Sequence, residues 1–396
     1  MLQLNLTKAF KKEPALKDVY KMKTVKILHT ADIHIGARDN FLKSDAQKRR
    51  LETLLTFERI VDLAKENQVD IITIAGDLFD SNSVEESFVS AVFSKIALSG
   101  IPTVFSAGNH DPLSADSPFL TRDLPRNLYV LGAEDECITF EELSLKVYGR
   151  SFSEVYLKGE PKFTLDIDED YVNLMVQHGE LKSDLSSDYN SITPSFVKES
   201  KMDYIALGHV HKKTPIGKID RTSFAYPGCP EGQGFDELDE KGVYIGEIGR
   251  NVCNLRFVSV SKRQHIHHKT QVLGDISSSE LCDKILAELK ESFGDEYSEN
   301  LYKIELCGEI SPELEIDTKE ISLRLEEMLF FVKVIDSTEI KLDLNELANE
   351  PSLKGIFVRK MLGRIDEASE NEKEKYKKAL KIGLKAFTRE VKYDEN

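Results

Sequence analysis

Five short stretches bring together histidine, aspartate and asparagine side chains that could ligate a metal ion. They are Asp32-Ile33-His34, Gly76-Asp77-Leu78-Phe79-Asp80, Gly108-Asn109-His110-Asp111, Gln177-His178-Gly179 and Gly208-His209-Val210-His211. Asp-x-His and His-x-His spacings put two side chains on the same side of an extended segment, as chelation requires. The atoms on offer are imidazole nitrogens, carboxylate oxygens and an amide oxygen, with no thiolate. That mixture suits manganese, iron, zinc or cobalt better than calcium or copper(I). A carboxylate such as Asp77 can bridge two ions about 3.5 to 4 Å apart, and such pairs activate water for in-line attack on phosphorus. The chemistry indicated is phosphoester hydrolysis. Each stretch alone also reads as a turn carrying a capped or solvent-facing histidine; it is their number and order that point to a two-ion site. Of the nine histidines, five fall in these stretches and His29 lies just upstream. His29 is expected to face the core or to support a ligand, and His265, His267 and His268, at a domain junction, to be solvated.

Each stretch follows a β-like run. Ile27-Leu28 precedes Asp32, Ile71 to Ala75 precedes Asp77, Thr103 to Phe105 precedes Asn109, Asn173 to Val176 precedes His178, and Ile205 to Leu207 precedes His209. Ligands just past strand ends gather on one rim of a sheet, where α/β folds place their sites. From Val25 the apolar runs alternate with helical patterns near Asp45 to Glu66 and Val84 to Leu98, a β-α-β-α-β order that favours a parallel sheet. After Leu128 come short strands with turn signals, at Leu128 to Leu131, Leu145 to Tyr148, Val172 to Val176, Tyr204 to Leu207, Ser223 to Tyr226, Val243 to Ile248 and Val252 to Val260. More than one sheet is expected. From about His265 to Thr338 the pattern is strand, helix (Ser278 to Ser292), strand (Leu301 to Leu306), helix (Lys319 to Met328), strand (Phe330 to Ile335), a small α/β module. Beyond Pro351 the chain turns helical and basic. Tyr376, Leu380, Leu384, Phe387 and Val391 recur every three or four residues as one apolar stripe.

With 396 residues and 40% apolar content the chain can bury a sizeable core and has room for two or three domains. The longest apolar stretches, Val69 to Ala75 and Met328 to Ile335, fall far short of the roughly 18 to 20 residues that cross a bilayer, so no membrane partner is expected. Residues 1–24 are lysine-rich, without the apolar core of a secretory signal, and are taken as an N-terminal extension that a start at Met22 would remove. A cytoplasmic location follows. Five scattered cysteines give neither a disulfide framework nor a thiolate zinc site. The formal charge of −16 excludes binding of nucleic acid by bulk electrostatics. Charge is segregated, however: Lys354 to Lys392 carries 12 basic against 6 acidic residues.

The motifs resemble those of the calcineurin-like metallophosphoesterases, and among them the SbcD-type nuclease subunit of bacterial double-strand-break repair, including its shorter Bacillus-type relatives. The residues that carry the resemblance are Lys26 to Gly36 (KILHTADIHIG), Gly76 to Asp80 (GDLFD), Gly108 to Asp111 (GNHD) and Gly208 to His211 (GHVH), with Tyr226-Pro227-Gly228 and the Gly242-Val243-Tyr244 strand in support. Order and spacing agree from about Val25 to Val260. The resemblance implies an α/β fold: a metallophosphoesterase β-sandwich of two mixed sheets flanked by helices, then a small α/β capping domain and a C-terminal helical tail. It implies boundaries at 25–262 for the nuclease domain, 263–345 for the cap and 346–396 for a basic, partner-docking tail.

Carried over residue by residue, it implies that Asp32, His34, Asp77 and His211 hold one divalent ion and Asp77, Asn109, His178 and His209 a second, manganese being expected in both. His110 would be the acid that serves the leaving oxygen. Asp80 and Asp111 would orient ligands or His110. Archaeal members have a histidine where this chain has Asp80, so that histidine's substrate contact does not transfer. The implied partners are DNA, as duplex ends and single strands, an SbcC-type ABC ATPase with a coiled coil, and a second copy of the chain as a homodimer. Tyr376, Leu380, Leu384, Phe387 and Val391 are the expected ATPase-docking residues. Because no G-x-x-x-x-G-K-[ST] occurs, an ATP-driven step needs another chain. A manganese-dependent DNA exonuclease and endonuclease is the function this implies. A small-molecule phosphatase or cyclic-nucleotide phosphodiesterase shares all five motifs, but has no use for about 130 further residues of cap and tail. A non-catalytic scaffold of the retromer kind has no use for the ligand set.

Overall fold

The structure, a computed structural model, describes residues 23–37, 46–161, 167–238, 240–274, 276–311, 314–341 and 344–387. Nearly all of the expected N-terminal extension, and Val391, lie outside the described residues. The chain divides into two compact units, 1–266 and 267–396.

The first unit runs β1 (Thr24–Thr30), α1 (Ala46–Glu66), β2 (Ile71–Ile74), α2 (Glu86–Ser99), β3 (Thr103–Phe105), α3 (Pro118–Thr121), β4 (Leu128–Val130), β5 (Glu136–Phe140), β6 (Leu145–Gly149), β7 (Val172–His178), β8 (Glu180–Leu181), β9 (Ser191–Ile192), α4 (Pro194–Ser200), β10 (Tyr204–Gly208), β11 (Gly217–Ile219), β12 (Thr222–Ala225), β13 (Gly242–Gly249) and β14 (Val252–Ser259). Two six-stranded sheets, ordered β14-β13-β1-β2-β3-β4 and β11-β12-β10-β7-β6-β5, make the sandwich. Both are mixed. In the first, β1 pairs parallel with β2 and antiparallel with β13; in the second, β6, β7, β10 and β12 run parallel between antiparallel edges.

Side chains alternate across each strand, so every central strand feeds two cores. Ile27, Ile71 and Val104 meet Val147, Leu174, Val176 and Ala206 between the sheets. Leu28, Ile72, Ile74 and Phe105 face outward onto Phe57, Ile60, Val61, Val89, Val92 and Ile96 of the two long helices. Met175 and Ile205 face α4 through Val197. Burial on both faces is why these strands read as unbroken apolar runs. The short edge strands β5 and β11 carry no such run and escape the sequence pattern.

Strand β15 (His265–Gln271) begins at the end of the first unit, and the second holds the rest of it with α5 (Ser278–Phe293), β16 (Leu301–Cys307), β17 (Glu309–Ile310), α6 (Thr318–Glu326), β18 (Phe331–Asp336), β19 (Glu339–Ile340), α7 (Leu344–Asn349), α8 (Leu353–Glu367) and α9 (Glu370–Phe387). Its three-stranded sheet has the order β15-β16-β18, with β16 and β18 parallel. Helix α5 starts at a reciprocal capping box between Ser277 and Glu280.

Two expectations are corrected here. His265 is buried rather than solvated, edge-on to Phe235 with ring centroids 5.1 Å apart, while His267 and His268 pair with Glu305 and Glu288. Much of the described part of the proposed docking stripe is covered within this chain, while Phe387 remains 40% exposed. Leu380 and Leu384 are only 4% exposed and pack with Leu347, Val358 and Met361 in a cluster that Tyr376 also joins, and the Phe387 ring lies 5.7 Å from that of Phe357. An apolar stripe on a helix covers whatever apolar surface is nearest, and α7 and α8 supply it.

Candidate metal centre

The loops after β1, β2, β3, β7 and β10 meet at one rim of the sandwich. Getting the donors there bends the backbone sharply. Asp32, His34 and Asp77 have φ near +50° and His209 has φ of +102°, a left-handed region that costs a non-glycine residue about 1 to 3 kcal/mol. Hydrogen bonds between loops hold them: Asp32 N to Gly76 O (3.0 Å), His34 N to Asp77 O (2.9 Å), Ile35 N to Leu78 O (2.9 Å), and His209 N to both Asp32 carboxylate oxygens (2.9 and 3.1 Å). Two glycines are there for space. A Cβ on Gly76 would sit 2.2 Å from His178 Nδ1, and one on Gly108 would sit 2.1 Å from Asp77 Oδ1.

Two groups of acceptors converge on Asp77. On one side, His178 Nδ1 lies 2.9 Å from the Ala75 carbonyl, which can only accept, so Nδ1 carries the proton and Nε2 presents a lone pair. That lone pair is 2.9 Å from Asn109 Oδ1 and 3.4 Å from Asp77 Oδ2. On the other, His34 Nε2 stands 3.7 Å from Asp77 Oδ2 and 3.1 Å from His211 Nε2. Asp32, His34 and His211 offer donor atoms within 4.8 Å of one another, as do Asp32, Asp77 and His178. The His178 lone pair, Asn109 Oδ1 and the Asp77 carboxylate face one another with no proton between them and repel, and a cation resolves the conflict. The donors that Asp32, His34, Asp77, His178 and His211 bring together, with Asn109 beside His178, therefore fit divalent-cation binding, with Asp32 near both groups, whereas His209 shows ring contacts, 5.1 Å from His178 and 4.8 Å from Tyr189.

Titration follows the same charge balance. Burial raises the Asp32 carboxyl. Burial also opposes ionisation of Asp77, yet His178, His34 and His110 outweigh it and hold Asp77 below the usual range. Burial and the nearby His178 push His209 down to about 4. His211 goes the other way: burial opposes its charge, but the Glu237 hydrogen bond and Asp32 raise it to about 9.

His110 sits at the mouth. Its backbone N–H donates to Asp77 Oδ1 (2.9 Å), its Nδ1 is 3.1 Å from the Asp80 carbonyl, and its side chain is 45% exposed. Asp80 Oδ1 is 3.4 Å from His34 Nδ1 and 3.9 Å from His110 Nδ1. Asp111 lies beneath, accepting N–H from Leu78, Phe79 and Gly108 at 2.8 to 3.1 Å, so it ties two loops together rather than touching the His110 ring. Burial and Asp77 push it up to about 7.

Two features went unread in the sequence. Glu237 accepts the His211 Nδ1 hydrogen bond at 2.6 Å, but in the run Glu231 to Glu240 nothing distinguishes it from four other acids. Tyr189 packs against His209 at 4.8 Å with the planes inclined by 31°, and Tyr156, 59% exposed, packs against Tyr189 at 5.7 Å with the planes inclined by 43°.

Residues 25–213 match the family described as calcineurin-like phosphoesterase. The chain is 30% identical over 240 residues to the DNA double-strand break repair protein Mre11 of Methanopyrus kandleri, covering 56% of this chain and 52% of that protein. It is 28% identical over 316 residues to the Mre11 of Thermoplasma acidophilum, covering 72% and 78%. It is 25% identical over 244 residues to the uncharacterized metallophosphoesterase YhaO of Bacillus subtilis, covering 58% and 59%. The alignment thus spans a little over half the length of the Methanopyrus and Bacillus relatives. All the converging donors lie inside the matched segment, and with them the chain carries a calcineurin-like metallophosphoesterase domain.

Proposed function

We propose that this protein is a metal-dependent phosphodiesterase that cleaves DNA, with exonuclease and endonuclease activity in double-strand-break repair. The observation that carries the reading is the acceptor-only convergence around Asp77, where the Nε2 lone pair of His178, Asn109 Oδ1 and the carboxylate share one space without a proton. Asp32, His34, Asp77 and His211 would hold one ion and Asp77, Asn109, His178 and His209 the other, manganese fitting this nitrogen and oxygen set. Such a pair supplies an activated water and neutralises phosphate charge. Around it the chain's own residues do the rest. His110, held through Nδ1 by the Asp80 carbonyl, is placed to give a proton to the leaving oxygen through Nε2. The exposed Tyr156 ring, tilted against Tyr189 beside His209, offers an aromatic face that an unpaired base would use and a small phosphate ester would not. Relatives named as DNA double-strand break repair proteins support the substrate class.

The proposed partner is a coiled-coil ABC ATPase of the SbcC type, and a second copy of the chain. With Leu380 and Leu384 already covered, the ATPase would meet the apolar side chains these helices leave outside, Leu353, Ile356, Ile382 and Phe387. Among the described residues no helix is long and apolar enough to cross a membrane, and action in the cytoplasm fits this reading. The test is manganese-dependent digestion of end-labelled duplex and single-stranded DNA beside bis-p-nitrophenyl phosphate. Cleavage of DNA is expected. Hydrolysis of the small ester alone would replace the nuclease with a small-molecule phosphodiesterase, and hydrolysis of neither would overturn the reading.

A further inference from the structure

Among the described residues, His211 is the proposed ligand whose outer ring nitrogen lies nearest a carboxylate; the corresponding His34 Nδ1 is 3.4 Å from Asp80 Oδ1, beyond a close hydrogen bond. His211 Nδ1 is 2.6 Å from Glu237 Oε1. The other oxygen of that carboxylate is crowded with donors: Gln233 N at 2.9 Å, Cys229 Sγ at 3.1 Å and the buried Lys241 Nζ at 3.7 Å. Lys241 Nζ also donates to the His211 carbonyl at 3.1 Å, and Cys229 N to the same carbonyl at 3.2 Å. The loop between β12 and β13 therefore grips His211 at both its backbone and its ring. Oε2 is committed to donors, so only Oε1 is left for the imidazole, and an ionised carboxylate can only accept. Nδ1 must carry the proton, and Nε2, the nitrogen that faces His34 Nε2, is the one that can ligate.

We infer that Glu237 is the positioning residue of the metal centre: through the hydrogen bond to Nδ1 it fixes the tautomer and orientation of His211 and sets the affinity of one of the two ions. This rests on the metal-centre reading above. A histidine ligand's outer hydrogen bond orients the ring and raises its basicity, and losing it costs about 10- to 100-fold in metal affinity.

Glu237→Gln tests the chemistry with little change of shape. The amide oxygen must face Gln233 N, Cys229 Sγ and Lys241, which turns the NH2 group toward His211 Nδ1. Nδ1 then has to accept, and the proton moves to Nε2. Parent and variant are stripped with chelator and titrated with Mn2+, following heat of binding and final metal content. The parent is expected to bind two ions and the variant to bind one as before and the other about 10- to 100-fold more weakly, metal-free melting being followed to show that the variant is folded at the titration temperature. Cys229→Ala, which loosens the loop but leaves Glu237 Oε1 on His211, should bind both as the parent does. Parent-like binding of two ions by Glu237→Gln overturns the inference and leaves the metal centre standing. A parent that binds none removes both. Should the variant not fold, nitrogen-detected NMR of the histidine rings in the Zn2+-loaded parent decides. A protonated Nδ1 on His211 supports the assignment, and a bare Nδ1 refutes it.

Discussion

His34 Nε2 and His211 Nε2 stand 3.1 Å apart on opposite sides of the rim, although 177 residues separate them in the chain. Two imidazoles this close, nitrogen to nitrogen, need something positive between them. In the metal-free chain that is a proton, and the acids around His211 raise its pKa to about 9. A divalent ion taking that place must displace the proton, so binding should release acid and strengthen as pH rises toward 9. Isothermal titration with Mn2+ at pH 6.5 and 8.5, in buffers of different ionisation enthalpy, reads this directly. Affinity that falls over that range would show that His211 is not a ligand.

Asp77 is the carboxylate between the two acceptor groups, 3.7 Å from His34 Nε2 and 3.4 Å from His178 Nε2. Asp77→Ala should lose both ions and all hydrolysis. Elemental analysis of the purified variant checks it, and two ions retained would rule out a bridging role.

His110→Gln separates binding from chemistry. Because its ring sits at the mouth, with Nδ1 on the Asp80 carbonyl, both ions should stay while turnover falls by about 10²- to 10⁴-fold. The alternative is geometric: donor atoms of His34, Asp77 and His110 also lie within 4.8 Å of one another. If the variant loses an ion instead, His110 is a ligand and the acid lies elsewhere.

The difference between what was readable in the sequence and what was not has a physical basis. The ligand loops were legible because strands buried on both faces appear as apolar runs, and each run ends where a donor begins, as Ile71 to Ile74 does before Asp77. Glu237 was not, because its role comes from the closure of a long loop onto His211, 26 residues away, and leaves no local pattern. Of the apolar stripe of α9, Leu380 and Leu384 are covered within the chain while Phe387 stays 40% exposed. Periodicity reports that a face is apolar, and only the tertiary fold says what covers it. His265 was misread for the same reason: a histidine beside charged residues looks solvated until Phe235 and the surrounding loop close over it.

His29 gives a pH dependence away from the site. It is fully buried, with Nε2 3.1 Å from the Leu207 carbonyl and Nδ1 3.0 Å from Tyr204 Oη. Burial pushes it down to about 3. The folded pKa lies below the unfolded one, so the unfolded chain binds the extra proton, and stability falls as pH drops from 6.5 toward 3. Between pH 7 and pH 5 the loss from this one group is about 2 kcal/mol. Urea unfolding of parent and His29→Gln at both pH values should show the variant's stability falling by that much less. An equal fall in both would mean that His29 does not titrate as its burial requires.

The helical hairpin yields the last prediction, through two leucine-like positions two residues apart on α9. Leu380 is 4% exposed against α7 and α8, whereas Ile382 is 55% exposed. A glutamate at 380 would strand a charge among Leu347, Val358 and Met361 and lose the packing of a buried leucine, a cost of about 3 kcal/mol or more. Leu380→Glu should therefore unfold the hairpin, seen as lost helical signal and early melting, and any loss of partner binding would follow from that. Ile382→Glu together with Ile356→Glu touches only side chains that water already reaches. Surface substitutions of this kind stay within about 0.5 kcal/mol, so melting and hydrolysis of a small ester should be those of the parent. What should fail is co-purification with the proposed SbcC-type ATPase, and with it ATP-stimulated cleavage of DNA. Full co-purification of the double variant would move the ATPase contact off this end of the hairpin, and the phosphodiesterase assignment would be untouched.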